Sequence, residues 1–226
     1  DAYGRAYLAV SQQGRLEFLV LPDWWGRGGG TQLLDRGLER CVALGCAFAR
    51  TWAYGDLPRT VGWLERRGFQ SERVLYRLER TGPPVPAPTW ERGWEVRGFR
   101  PEDAQPWHEL HCSLQSDPTR AWSLKALQRQ LKQVDTPASS FWMLHQGTAL
   151  RGYLWLKGRE IFLFALDPAV RGRGLGEKLL AWGLSQLNGQ AFVYCDDQRP
   201  KALALYHKYG FTQRTKDRCL IRLLTP

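Results

Sequence analysis

A basic, glycine-punctuated loop is the part of this 226-residue chain whose residue types most directly indicate a chemistry. The loop has the sequence R-G-R-G-L-G at residues 171–176, between a predicted strand, Glu160–Leu166, and a helix whose leucines recur with helical periodicity. Glycines allow backbone N–H groups to approach an anion closely, and the positive end of a helix dipole adds to the attraction. Arg171 and Arg173 supply full charges. The pattern therefore predicts a pyrophosphate-binding loop.

Two common phosphate-binding loops do not match this sequence. A Walker loop needs Lys and then Ser or Thr after its last glycine, whereas Glu177 and Lys178 follow Gly176. A dinucleotide fingerprint needs G-x-G-x-x-G, and the spacing here is G-x-G-x-G. The R-x-x-G-x-G pattern after a strand ending in D-P resembles the coenzyme A loop of the GCN5-related N-acetyltransferases. The alternative is a glycine-rich turn that binds no ligand.

The resemblance also implies an acid–base pair. Acetyl transfer to an amine requires a group that takes the amine proton and a group that protonates the departing thiolate. By resemblance, Glu160 at the start of the strand is the base, and Tyr206, within the pattern A-x-x-L-Y-x-x-x-G-F, is the acid. The alternatives are a solvated strand-end carboxylate beside Arg159 and a tyrosine packed in the core.

Composition narrows the class of protein. The net charge of +10 is spread along the chain without a Lys/Arg run or a nucleic-acid-binding motif, which argues against nucleic acid as a partner. No apolar run approaches the roughly 20 residues needed to span a bilayer, and no signal peptide is visible. The odd number of cysteines and four scattered histidines predict free thiols, a cytoplasmic location and no metal site.

The elements around the loop occur twice along the chain. In the second half, strand 160–166, the loop and a helix are followed by strand 190–195, helix 201–208, a Gly-Phe turn and strand 218–224. In the first half, strand 16–21, the sequence W-G-R-G-G-G at 25–30 and a helix precede strand 47–53, helix 58–67, a Gly-Phe turn and strand 73–78. This repeat predicts two tandem α+β domains, each a mixed, mostly antiparallel sheet flanked by helices.

A proline-rich segment separates the copies and sets the predicted boundaries. We expect a first domain at residues 1–80, a linker at 81–92 and a second, catalytic domain at 93–226. The second domain opens with strand 94–97, a helix from Pro101 and a helix capped by Ser123, then a meander of strands 140–145, 149–157 and 160–166. Far fewer residues precede the loop strand in the first domain, so we expect that domain to be N-terminally incomplete.

The first domain also lacks counterparts of the implied acid and base. Alignment of Pro22 with Pro168 places Gly14 at the position of Glu160, and alignment of the two Gly-Phe turns places Leu64 at the position of Tyr206. We therefore expect the first domain to be non-catalytic.

The tandem arrangement and three further segments resemble one particular family of these acetyltransferases. W-A-Y-G-D at 52–56, the segment R-V-L-Y-R-L-E-R and G-Y-L-W-L-K at 152–157 are similar to segments of the mycothiol synthase family. The family transfers acetyl from acetyl-CoA to the cysteinyl amine of Cys-GlcN-inositol, the last step of mycothiol biosynthesis. Trp25 at the head of the first loop and Gln198–Arg199 depart from the family pattern. Another amine acceptor therefore remains an alternative, as does a non-catalytic acetyl-CoA-binding module.

The resemblance implies a set of binding residues as well. The residues implied to bind the acceptor substrate are Lys157, Glu160, Tyr194 and Asp117. The strand at Phe164, Ala165 and Leu166 should pair its backbone with the pantetheine arm. The remaining acetyl-CoA contacts implied in the second domain are Arg171, Gly172, Arg173, Gly174, Leu175, Gly176, Glu177, Arg199, Lys201 and Ala202. Those in the first are Phe18, Leu19, Val20, Gly26, Arg27, Gly28, Gly29, Gly30 and Thr31. We expect a monomer that contacts no membrane.

Overall fold

The computed structural model describes residues 6–115, 122–133 and 140–224. The strands are β1 (Ala6–Val10), β2 (Leu16–Val20), β3 (Phe48–Ala53), β4 (Gln70–Thr81), β5 (Trp94–Gly98), β6 (Phe141–Gln146), β7 (Ala149–Lys157), β8 (Glu160–Leu166), β9 (Gln190–Asp196) and β10 (Thr212–Leu223). The helices are α1 (Gly29–Ala43), α2 (Pro58–Glu65), α3 (Ala104–Ser113), α4 (Leu124–Leu131), α5 (Leu175–Ser185) and α6 (Pro200–Lys208). Within these ranges no helix is both long and apolar enough to cross a bilayer.

The chain packs into two units that do not follow the order of the sequence. The first unit combines Asp1–Tyr76 with Cys195–Pro200 and Arg214–Pro226, and the second combines Arg77–Tyr194 with Lys201–Gln213. The predicted domains, 1–80 and 93–226, are each one continuous segment, whereas each unit combines separate segments of the chain. The units differ because the last strand of the chain packs in the first unit, while the end of β4 packs in the second.

The first unit contains a hairpin and a short sheet. Strands β1 and β2 pair antiparallel, and the sheet has the order β3-β10-β4. β10 runs antiparallel to β3, with Arg218 opposite Ala53. Its core consists of apolar side chains from β2, α1, β3, α2 and β10, among them Leu34 and Leu220, both fully buried.

A buried carboxylate holds β10 in the first unit. Asp56, in the turn after β3, accepts hydrogen bonds from Arg218 Nε at 2.6 Å and Nη2 at 3.1 Å, and pairs with Lys216 Nζ at 2.5 Å. These partners, Arg218 first, lower the pKa of Asp56 to about 2. Asp56 also has φ 47°, a left-handed conformation that Asp tolerates better than most residues. The C-terminal strand is thus tied to the W-A-Y-G-D segment through this carboxylate.

The second unit is built on the predicted meander. Its sheet has the order β4-β9-β8-β7-β6-β5, and β5, β6, β7 and β8 pair antiparallel in succession. β8 has the predicted bounds, and Ser123 caps α4 as predicted, its Oγ accepting from Ala126 N–H at 3.2 Å. The core on one face of this sheet is largely aromatic and includes Trp107, Phe141 and Trp155, all fully buried.

Candidate active site

The glycine-punctuated loop forms a corner between β8 and α5. A 3-10 turn, Pro168–Val170, leads into Gly172 and Gly174, which have φ of 79° and 74°. These left-handed conformations favour glycine, and a Cβ at either position would meet no atom within 4 Å. Gly174 is the N-cap of α5, and the first helical hydrogen bond runs from Lys178 N–H to the Gly174 carbonyl at 3.1 Å. The preceding N–H groups therefore lie at the positive end of the helix, with open space before them.

Ion pairs and hydrogen bonds fix the start of this loop. Asp167 accepts a hydrogen bond from Ala169 N–H at 2.9 Å and pairs with Arg151 at 2.7 Å. The backbone hydrogen bond and Arg151 together lower the pKa of Asp167. The Arg171 guanidinium donates to the Leu166 carbonyl through Nε at 3.2 Å and Nη2 at 3.0 Å. A fixed positive charge therefore lies where the strand ends and the loop begins.

One edge of β8 has few backbone partners within the sheet and is open to an extended ligand. Along its other edge, β8 pairs with β7 from Glu160 to Leu166. Among the described residues, β8 and its parallel neighbour β9 pair only at Glu160 and Phe192. Beyond this pair the β9-side backbone groups of β8 lie outside the ladder with β9, as far as Leu166 at the loop. An extended, amide-bearing group with a phosphate end fits this edge and corner, and pantetheine pyrophosphate is such a group.

The predicted base lies on β8 and the predicted acid on α6. Glu160 is the first residue of β8 and lies at the point where β8 and β9 separate. Tyr206 lies on α6 and is only 4% exposed, with its ring 6.3 Å from the ring of Phe164 and 5.4 Å from that of Phe211. Phe164 belongs to the edge of β8 predicted to contact pantetheine. Tyr206 thus lies beside Phe164, four residues along β8 from Glu160.

The other site residues predicted in the second half differ in their exposure and in their contacts. Lys157 lies opposite Glu160 in the β7–β8 ladder, and its Nζ is 5.9 Å from the centre of the Phe162 ring. Tyr194 is 45% exposed. The Glu177 carboxylate pairs with Lys208 at 2.7 Å, so that part of its charge is neutralised within the protein. Lys201 and Ala202 lie in the first turn of α6, and Arg199 N–H donates to the Asp196 carbonyl just before it. Asp117 lies outside the described residues.

A family model described as "Acetyltransferase (GNAT) family" matches residues 3–69 and 107–211, which together are most of the chain. The chain belongs to this family. The GNAT fold class and the enzyme class, an N-acetyltransferase, are therefore confirmed.

Individual relatives of this GNAT chain carry one recurrent name. A protein named "Mycothiol acetyltransferase" from Thermobispora bispora is 31% identical over 95% of this chain and 78% of its own. A protein of the same name from Catenulispora acidiphila is 30% identical over 89% of this chain and 70% of its own. These matches confirm the predicted resemblance to the mycothiol synthase family.

Solved structures support the fold. A GCN5-related N-acetyltransferase from Sphaerobacter thermophilus superposes with a TM-score of 0.76 over 98% of this chain and 76% of its own, at 19% identity. A tandem GNAT protein from the clavulanic acid biosynthesis pathway gives 0.69 over 94% of this chain and 75% of its own, at 15% identity.

The first unit of this GNAT chain contains a second glycine loop with the same backbone. Gly26 and Gly28 have φ of 77° and 83°, and Gly28 is the N-cap of α1, whose first hydrogen bond runs from Gln32 N–H to the Gly28 carbonyl at 3.1 Å. Trp25 at its head donates from Nε1 to the Val20 carbonyl at 2.7 Å. It therefore bonds the same strand-end carbonyl that Arg171 bonds in the second loop, but carries no charge.

The remaining residues predicted for the first loop lie on or beside it. Phe18 packs against Trp63 with ring centres 5.8 Å apart, and Leu19 is 56% exposed. The Arg27 guanidinium lies 4.8 Å from the centre of the Trp24 ring. Gly29, Gly30 and Thr31 form the first turn of α1, and Thr31 Oγ1 accepts a hydrogen bond from Arg67 at 2.9 Å.

The structure also brings together an aromatic group that the sequence prediction missed. Rings from α3, β6, β7 and β8 pack on the face of the second-unit sheet that carries Glu160, with Trp122 beside them. Within this group, His111 Nδ1 and the Tyr153 hydroxyl are 2.8 Å apart. Because these residues come from separate elements, no local spacing in the sequence could have shown them as one group.

Proposed function

We propose that this protein acetylates the cysteinyl amine of Cys-GlcN-inositol with acetyl-CoA, the last step of mycothiol biosynthesis. One observation supports acetyl transfer from acetyl-CoA: an open strand edge, a glycine loop at a helix N-terminus and Glu160 all lie along β8. The named relatives, which match nearly the whole chain, support the choice of acceptor.

The second unit would hold acetyl-CoA along β8 and its loop. The backbone from Phe164 to Leu166 would pair with the pantetheine amides, and the N–H groups at the start of α5 would receive the pyrophosphate. Arg171 and Arg173 would add positive charge there, with Lys201 at the start of α6 available to the outer phosphates. Bound acetyl-CoA supplies the acetyl group as a reactive thioester.

Two side chains would divide the proton transfers. Glu160 would take the proton of the cysteinyl ammonium, directly or through a water, so that the neutral amine can attack the thioester carbonyl. Tyr206 would donate its hydroxyl proton to the departing thiolate, and the second proton, which the nitrogen loses as the amide forms, would return to Tyr206 through solvent. General acid–base groups of this kind contribute typically 10²–10⁴-fold to the rate. Lys157 and Tyr194 would contact the polar acceptor.

The first unit would bind coenzyme A without catalysing transfer. The backbone of its loop matches the second loop, which supports anion binding, but its head residue is neutral. The residues at the positions of the acid and base also differ in this unit.

We place the reaction in the cytoplasm. All five cysteines are free, and Cys41, Cys195 and Cys219 are buried. Burial raises the pKa of Cys195 to about 11, which keeps this thiol protonated and unreactive. Free buried thiols are typical of proteins in a reducing compartment.

The test is acetylation of the synthetic acceptor. Purified protein is incubated with acetyl-CoA and Cys-GlcN-inositol, with loss of the acetyl-CoA thioester followed optically, because the acceptor carries a thiol of its own, and the product mapped by tandem mass spectrometry. We expect one acetyl group on the cysteinyl nitrogen and no reaction with GlcN-inositol, which lacks that amine. Turnover of a different amine only would contradict the assigned acceptor. Absence of thiol release with any amine in a broad panel would favour a non-catalytic acetyl-CoA-binding module.

A further inference from the structure

Two partly buried members of the aromatic group on the Glu160 face of the sheet are in contact with each other. Trp122 and Phe162 pack against each other with ring centres 5.6 Å apart and an interplanar angle of 58°. Phe162 also lies edge-on to Trp155 at 5.8 Å. Both retain some solvent exposure, whereas Trp107, Phe141 and Trp155 behind them are fully buried. We call Trp122 and Phe162 the aromatic wall.

A bulge in β8 aims Phe162 at this position. Trp155 pairs with Leu163 and the next residue of β7, Leu156, pairs with Ile161, so that Phe162 is the extra residue of β8. A bulge bends a strand and re-aims a side chain that regular alternation would place elsewhere, and bulges are frequent beside active sites.

The aromatic wall lies next to the charged groups of the proposed site. Lys157 and Glu160 are opposite each other in the ladder and therefore project on one face of the sheet. Lys157 Nζ is 5.9 Å from the centre of the Phe162 ring, which places that ring on the same face. A flat apolar surface, an ammonium and a carboxylate are thus adjacent within one unit.

We propose that Trp122 and Phe162 are specificity-determining residues that bind the ring portion of the acceptor. Lys157 contacts the hydroxyl groups at the edge of that ring. This inference rests on the proposed function, because it concerns the acceptor of the same reaction. A cyclic polyol attached to the reacting amine has the matching chemistry, since it presents flat C–H faces and a polar edge. Sites for small molecules commonly combine aromatic surfaces with a few placed polar groups.

The His111–Tyr153 pair positions the aromatic wall. The hydrogen bond between them is buried, His111 stacks on Trp107 at 4.8 Å, and its ring centre is 6.2 Å from that of Trp122. These contacts orient Trp122 without reaching the reacting atoms. His111 and Tyr153 are therefore positioning residues rather than catalytic ones.

The experiment compares a ring-bearing acceptor with a ringless one. KM and kcat are measured for Cys-GlcN-inositol and for cysteinamide in wild type, Phe162→Leu and Phe162→Tyr. We expect Phe162→Leu to raise KM for Cys-GlcN-inositol roughly three- to tenfold, the size of a stacking contact, and to leave cysteinamide kinetics unchanged. Phe162→Tyr keeps the ring face and should restore the wild-type value. Tyr153→Phe should raise the same KM by a smaller factor with kcat unchanged.

Phe99→Leu is the matched control, because Phe99 belongs to the same aromatic group but stacks on Phe141 at 5.1 Å and is not part of the aromatic wall. It should leave KM for both acceptors unchanged. Equal losses on both acceptors in Phe162→Leu, or failure of Phe162→Tyr to restore KM, would overturn the inference. If wild type does not acetylate Cys-GlcN-inositol, the proposed acceptor is wrong. The aromatic wall is then judged by calorimetry of GlcN-inositol with coenzyme A present: binding that Phe162→Leu weakens supports it, and absence of binding overturns it.

Discussion

The two glycine loops have one backbone but different charges. In both, two glycines at positive φ lead into a helix, and the head residue bonds the carbonyl at the end of the preceding strand. In the second unit that residue is Arg171, and in the first it is Trp25, 49% exposed, with the Arg59 guanidinium 5.3 Å from its ring centre. The comparison shows that the glycines and the helix start fix the loop's shape, while its charge can change independently.

The acid and base differ more sharply between the units. Arg50 N–H donates to the Gly14 carbonyl, and Arg15 bridges Arg50. Phe192 N–H likewise donates to the Arg159 carbonyl, and Glu160 pairs with Phe192. By this hydrogen bonding Arg15, not Gly14, is the counterpart of Glu160.

The counterpart of the proposed acid follows from the turn after the helix. In the first unit Phe69 N–H donates to the Leu64 carbonyl, and in the second Phe211 N–H donates to the Tyr206 carbonyl. Leu64 is thus the counterpart of Tyr206. An arginine and a leucine cannot supply this acid–base chemistry, which supports catalysis in the second unit only.

The largest effects should come from the acid and base. We expect Glu160→Gln to lower kcat/KM roughly 10²–10⁴-fold near neutral pH and to recover partly as pH approaches the amine pKa, because solvent then deprotonates the amine. Tyr206→Phe should be similarly slow without that recovery, since its thiolate still lacks a proton donor. The first-unit counterparts, Arg15→Gln and Leu64→Ala, serve as controls that should leave the pH profile unchanged. Recovery in alkali of Tyr206→Phe but not of Glu160→Gln would contradict the division of roles.

A smaller effect is expected from the loop glycines. Gly174→Val places a branched side chain in the open space before α5 and displaces backbone donors, so acetyl-CoA affinity of the second unit should fall roughly 10- to 100-fold by calorimetry. Gly28→Val is a matched control, because Gly28 has the same αL conformation, N-cap position and open surroundings. It should leave turnover nearly unchanged. Activity that survives Gly174→Val but is lost in Gly28→Val would reverse the assignment of the catalytic unit.

The smallest effect concerns the loop-head charge. Arg171→Trp should keep the bond to the Leu166 carbonyl, as Trp25 does with Val20, and weaken acetyl-CoA binding only about two- to fivefold, with a shallower salt dependence. Trp25→Arg in a Gly174→Val background should strengthen binding to the first unit by a similar factor. Titrations at two salt concentrations measure both. Unchanged affinity and salt dependence in Arg171→Trp would show that the backbone alone binds the anion.

The sequence by itself determined the local elements of this protein. The glycine spacing at 171–176 predicts the loop, because a single glycine can adopt a positive φ whatever its neighbours are. The apolar run that follows Glu160 and ends at Leu166 predicts β8 at its observed bounds. Comparison of the two halves likewise predicts a repeated fold, since each copy carries the same order of local signals.

Only the tertiary structure decided which distant residues meet. The extra residue of β8 at Phe162 shifts the register, so that counting back from the prolines selects Gly14 where hydrogen bonding selects Arg15. The packing of β10 in the first unit depends on Asp56 and Arg218, far apart in the chain. The grouping of His111, Trp122 and Phe162 depends on α3, β8 and the residue before the N-cap of α4 converging on one face. Each of these is set by long-range packing and pairing energies, which leave no periodic signal in the local sequence.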